Sequence, residues 1–314
     1  MAFDFAAVSA PFRMQPGLRR VGPHARHLTP HGPGTRSFDE KLGVLQHWPT
    51  EALVAAPGFD AARALETLSA QAALEHPAVW RRHAAGDAEA LLLGWRVRGD
   101  GVVSGDGSAA IGALLRALPA EWRLAALACL AFVEDLAVID GTTARIPWIA
   151  ACLPSHWAPA DKVGRHFAEV HAPVADNQTL LAAGEHLARL VSGEERWERF
   201  VWTVTTCPTL QMHPAHAAPS LWPEADDPQA LASHAHFRTE RQTFLPVRGA
   251  GQALFTIHVE SRPLAEAVAT REQAHALHDA IASMSDAVLA YRGLAPARGR
   301  LLQWLAARAD GRTA

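Results

Sequence analysis

The chain has 314 residues, 49% apolar and 19% charged, a balance expected of a folded soluble protein with a sizeable core. A net charge of −3 gives no basic footprint for nucleic acid, and no uninterrupted apolar stretch reaches membrane-spanning length. Cys129, Cys152 and Cys207 lack paired or zinc-like spacing, and MAFDFAAVSAPFRM lacks the pattern of a signal peptide, so the cytoplasm is the expected location.

In chain order, residues 1–40 are expected to form a Pro/Gly-rich arm, because 11–38 combine proline, glycine, histidine and arginine in a composition that carries neither helix nor sheet. Residues 41–314 then form one α+β domain. Residues 60–84 show helical spacing behind Asp60, and 91–101 reads as a strand ending in a glycine turn. Residues 109–138 look helical with a break near Pro119, and 144–155 reads as a short strand or irregular segment. A helix is expected from Pro159 to Val170, with proline in its first turn, and another over 177–195. Strands follow at 199–206, 236–247 and 253–261, the last two joined by a glycine-bearing hairpin. From Pro263 to about Ala307 the chain reads as helical, with a break near Gly293. Helices before a run of antiparallel strands imply an α+β fold.

Ten tryptophans against one tyrosine are large apolar plates, and a well-filled core accounts for most of them. The 17 histidines are harder to place. His171 stands just before Pro173, where it can cap a helix end or serve as a ligand. His166 is five residues away, a spacing that does not put both rings on one helical face. In HFRTERQTF, strand alternation gathers Arg238, Glu240, Gln242 and Phe244 on one face, and Phe237, Thr239, Arg241 and Thr243 on the other. The first face is either wet or lines a polar pocket. His213 and His216, with His234 and His236 nearby, have no neighbouring Cys or carboxylate spacing of a known zinc pattern, so a solvated loop is expected there.

Four stretches carry a resemblance: VEDLAVID (133–140), LPSHWAPADKVGRHFAEVHAPV (153–174), FRTERQTFLPV (237–247) and ALFTIHVESRPL (253–264). In order and spacing they resemble the haem-dependent oxidative N-demethylase family, which includes the catalytic subunit of bacterial dimethylamine monooxygenase. The family's Ile-His-x-Pro-Val histidine falls on His171, while His166 has no counterpart. The resemblance implies a PAS-like antiparallel sheet with flanking helices enclosing a haem b, with His171 as proximal ligand to the iron. Lys162, Trp157, Arg241, Gln242 and His258, on matching motifs, are the remaining expected cofactor-binding residues. Glu240 and Arg238 are the expected catalytic pair.

The implied reaction is oxidative demethylation of a small secondary amine such as dimethylamine, using dioxygen and releasing formaldehyde. The chain has no nicotinamide or flavin fingerprint and no cysteine set for an iron–sulfur cluster, so electrons must come from partner reductase subunits carrying flavin and iron–sulfur centres. An oxygen or redox sensor built on the same haem pocket is the alternative, as is a binding protein that has kept only the scaffold. Three departures bear on turnover. Phe200 and Val201 replace polar neighbours of Trp202, Ala137 stands where relatives often have cysteine, and His258 replaces an arginine.

Overall fold

The computed structural model describes residues 3–312 apart from 23, 84–85, 220 and 225. Its strands are β1 (Arg19–Arg20), β2 (Leu53–Ala55), β3 (Trp80–Arg82), β4 (Ala88–Ala90), β5 (Trp95–Val97), β6 (Val103–Gly105), β7 (Asp135–Asp140), β8 (Arg145–Ala150), β9 (Trp197–Thr205), β10 (His236–Val247) and β11 (Gln252–Pro263). Seven form one antiparallel sheet in the order β1-β9-β10-β11-β7-β8-β2, and β3 to β6 form a small second sheet. Helices flank both, so the α+β reading holds.

The hairpin β10–β11 sets the register of the large sheet. His236 pairs with Pro263 and Val247 with Gln252, so the expected glycine turn is the four residues 248–251. Alternation along β10 then divides the sheet into two unlike faces. Leu245, with Leu254, Leu136 and Val138 beside it, packs on the main hydrophobic core. That core includes Leu68 from the helix Ala62–Glu75 and Leu127 and Leu130 from the helix Ala120–Ala131. Phe244 belongs to the opposite face, where it stacks on Phe255 at 4.7 Å between ring centroids. A smaller cluster with Ile139, Ala188 and Val191 covers it.

Tryptophans mostly fill core, and several of their indole nitrogens find partners there. Trp80 Nε1 donates to Ser69 Oγ, Trp95 Nε1 donates to the Ser108 carbonyl, and Trp122 stacks on Trp148. The N-terminal segment crosses the molecule in contact with both large clusters, placing Val8 in the C-terminal helical core and Leu28 in the main one. Its first long helix begins at Arg36.

The helix expected over 60–84 stops at Glu75, before strand β3, and the one expected over 177–195 is two, Gln178–Ala182 and Gly184–Val191. Two more are redrawn. The helix expected through residue 138 stops at Ala131, and 135–140 is strand β7. An apolar run has no period that separates buried helix from buried strand, and here pairing with β11 decides. The helix expected over Pro159 to Val170 is a short turn at Pro159–Asp161 and a separate helix at Phe167–His171. Gly164 has φ +77°, a left-handed conformation that ends the first turn. Backbone bonds from Gly164 N to Ile146 O and from Ile146 N to Arg165 O then tie this segment to β8.

Candidate haem-binding site

His166 and His171 occupy opposite ends of the five-residue helix. His166 is its N-cap: Nδ1 accepts from Ala168 N, and the Glu169 carboxylate accepts from His166 N, closing a capping box. His171 lies in the last turn. Its Nδ1 is 2.8 Å from the Phe167 carbonyl, which can only accept, so Nδ1 carries the proton and Nε2 keeps its lone pair. Phe167 also stacks on the imidazole, with centroids 4.0 Å apart. Burial pushes His171 down to about 4, against the pull of the Phe167 carbonyl, and the positive charges of Arg199 and Lys162 push the same way. At neutral pH this is a neutral imidazole with an oriented N–H and a free donor nitrogen, the state that ligates a metal.

The sheet face that carries Phe244 supplies the surroundings. Ala137, Ile149 and Phe255 form an apolar floor against which Trp157 and Val163 pack. Lys162 Nζ lies 5.3 Å from the Trp157 ring centre, and burial lowers its pKa against the attraction of Glu240 and Asp161. The chain is rich in arginine yet has two lysines, Lys41 and Lys162. Lys41 is fully buried against Asp135 and the Glu134 carbonyl, and Lys162 is half-buried.

On β10, Glu240 accepts from Ser155 Oγ at 2.5 Å and from Gln242 Nε2 at 2.6 Å. Arg238 shares that face, but its donors are committed. Nε donates to Ser155 Oγ, Nη1 to the Thr209 carbonyl and Nη2 to the Leu210 carbonyl. It clamps two loops to the sheet and thereby positions Ser155 against Glu240.

Arg199 was not singled out from the sequence. It pairs with Gln242 across β9 and β10 and so shares the face of Glu240. Its Nε is buried without a hydrogen-bond partner, as is the indole nitrogen of Trp197 two residues earlier on the same face. Burial lowers the Arg199 pKa, and Glu240 opposes that. The signal was present: in RFVWTVT a period of two puts Arg199 on the Val201 side of the strand. A cavity of about 290 Å³ runs along this edge, lined by Phe12, Met14, Arg199, Trp202 and Arg292 among others. His171, Lys162 and Glu240 do not line it; Arg199 is where the cavity meets their face.

The structure does not bring Arg241 and His258 to this site. Both lie on the other face of the sheet, paired with one another in the β10–β11 register. Arg241 is committed to Glu198 and the Arg26 carbonyl. His258 Nδ1 is 2.9 Å from Glu134, and Glu260 is 3.5 Å from Nε2. Of the departures noted in the sequence, Phe200 and His258 are therefore remote from His171. Val201 faces the site as the cross-strand partner of Glu240, and Ala137 lies in its apolar floor.

These residues fit a haem. His171 would offer its free ring nitrogen to the iron, the floor would offer apolar contact, and Arg199 with its orphaned Nε, together with Lys162, would offer cations to carboxylate side chains. No curated protein matches the chain. The family model described as haem-dependent oxidative N-demethylase, alpha subunit-like, matches residues 51–302. That span holds His171, Lys162, Arg199 and Glu240. The chain belongs to the haem-dependent oxidative N-demethylase, alpha subunit-like, family.

Proposed function

We propose that the chain is the catalytic subunit of an oxidative N-demethylase that acts on a small secondary methylamine such as dimethylamine. The observation that carries this reading is His171: neutral, anchored through Nδ1–H, with Nε2 free, beside two partly buried cations and one carboxylate. The large antiparallel sheet with its covering helices is the PAS-like element of this reading. His171 holds haem b, and Arg199 and Lys162 pair with its carboxylates. Bound there, the haem supplies the activation of dioxygen.

The balance is R–NH–CH₃ + O₂ + 2e⁻ + 2H⁺ giving R–NH₂ + CH₂O + H₂O, so one C–N bond breaks and two electrons come from outside. Partner reductase subunits with flavin and iron–sulfur centres supply them. Glu240 accepts hydrogen bonds from the substrate ammonium, an interaction that a partly dry pocket strengthens. Ser155 and Gln242 hold its carboxylate in place, and Arg238 holds Ser155. Trp157 and Phe255 exclude water from the methyl group, and holding the reactants together contributes much of the rate.

The test is to load the full chain with haem, supply electrons and oxygen, and assay formaldehyde over methylated amines of increasing size. Release with the smallest secondary amines and loss with larger ones is the expected result. A chain that retains haem yet releases formaldehyde with none of them would overturn the enzyme reading and favour the sensor.

A further inference from the structure

The loop that carries His213 and His216 was expected to be solvated. In the structure it closes on a carboxylate from a distant part of the chain. His216 Nε2 is 2.8 Å from Glu51 Oε2, and His213 Nδ1 is 3.5 Å from the same oxygen. One ligand atom from each of the three residues lies within 4.8 Å of the others, and all three side chains are half-buried. We propose that Glu51, His213 and His216 form a site for a divalent transition metal, with zinc the best match.

Two imidazoles and one carboxylate suit zinc and its neighbours, whereas magnesium and calcium ask for oxygen ligands. Zinc bonds of about 2.0–2.2 Å in a tetrahedron put ligand atoms about 3.3–3.5 Å apart. The two separations to Glu51 bracket that value, and a metal would take the Nδ1 lone pair of His213 that now accepts from Ala215 N at 3.2 Å. The 2.8 Å contact between His216 and Glu51 is then a proton standing where the cation would sit. One carboxylate and two neutral rings leave the fourth position to water.

Both rings are held before any metal arrives. His213-Pro214-Ala215-His216 is a tight turn, closed by His216 N and Ala217 N donating to the His213 carbonyl. Trp48 stacks on His216 with centroids 3.9 Å apart and planes 14° from parallel. Trp48 immediately precedes the short helix Pro49–Ala52 that carries Glu51, so one element fixes a carboxylate ligand and a ring ligand.

A metal here would strap that helix to the 207–217 segment. This segment also supplies the Thr209 and Leu210 carbonyls that hold Arg238. Met212 is bonded to Pro154 and His156 on either side of Ser155, the hydroxyl that holds Glu240. The metal would thereby tie these segments together, and the site stands independently of the haem reading.

The experiment uses the untagged full chain, stripped with a chelator and titrated with Zn²⁺ by calorimetry and with Co²⁺ by absorption. One equivalent of each metal, ligand-field bands of low-coordinate cobalt and a raised Tm are expected. His213→Gln, His216→Gln and Glu51→Gln should each weaken binding by more than roughly tenfold, a loss that even outer-shell changes can reach. Circular dichroism checks that each variant is folded, and His171→Ala should bind as tightly as wild type. Absence of saturable binding would overturn the proposal. So would binding that the folded His213→Gln and His216→Gln variants retain, or binding that His171→Ala abolishes.

Discussion

One imidazole of this chain is held neutral for ligation and another is held charged for structure. Burial lowers His171 to about 4, and it lowers His27 and His31 to about 3. Burial also works against the charge on His258, but hydrogen bonds and attraction from Glu134 and Glu260 outweigh it and raise the group to about 9. The unfolded value is 6.5 for all four. For the three lowered groups, the stabilisation is present above 6.5 and is lost as pH falls toward 4 and 3. For His258 it is present below 6.5 and is lost as pH rises through 9. Denaturant midpoints of the wild type should therefore peak near pH 6.5 and decline on both sides. His258→Gln should flatten the alkaline limb. An alkaline limb unchanged in that variant would detach His258 from it. Glu240 makes a separate prediction: Glu240→Gln should keep haem content and raise the amine concentration needed for half-maximal formaldehyde release by about tenfold, the scale of one charge-assisted hydrogen bond. An unchanged amine dependence would leave Glu240 a spectator held by Ser155 and Gln242.

The short helix Phe167–His171 depends on its packing, because five residues cannot sustain a helix alone. A Cβ at Gly184 would lie 2.8 Å from Phe167 Cδ1, and Phe167 both stacks on His171 and accepts its proton-bearing nitrogen. Gly184→Val should therefore displace Phe167 and weaken haem retention severalfold in a titration, although residue 184 does not touch the ligand. Retention equal to wild type would mean that the ring has room to move. At the β10 face, Arg238→Met would leave the Thr209 and Leu210 carbonyls without their donor. Leu210 is buried and Thr209 exposed, and one buried group so stranded costs about 1–3 kcal/mol, so chemical denaturation should show a loss of about that size. A loss below about 0.5 kcal/mol, typical of plain surface substitutions, would contradict the clamp.

At the scale of the whole molecule, one sheet separates two kinds of interior. The face with Leu245 joins the main core, and its charged residues are paired off as burial demands: Arg241 with Glu198, His258 with Glu134. The opposite face carries Arg199 and Trp197 with nitrogens that no atom of the described residues satisfies. Much of this was legible in the sequence. The hairpin of β10 and β11 announced itself by alternation and a glycine turn, and alternation also grouped Arg238, Glu240 and Gln242. Arg241 and His258 were counted with the site because they lie on the matching family motifs, although alternation already put Arg241 on the face away from Glu240, and the sheet stands between both and His171. Arg199 escaped because a lone arginine on a strand next to the sheet's edge resembles any solvated charge until the covering segments are in place. The Glu51–His213–His216 cluster escaped for a related reason: its carboxylate is more than half the chain away from its histidines. The boundary between helix and strand near residue 132 was hidden by an apolar run with no period.

The central claim is that His171, and not His166, is the group through which this chain holds haem. The most direct measurement is a haem b titration followed at the Soret band for the wild type, His171→Ala and His166→Ala, each checked for folding by circular dichroism. Saturable binding by the wild type and by His166→Ala, with the Soret shift of an imidazole-ligated haem lost in His171→Ala, is the result this structure predicts. Equal spectra for the two variants, whether both ligated or both not, would contradict it.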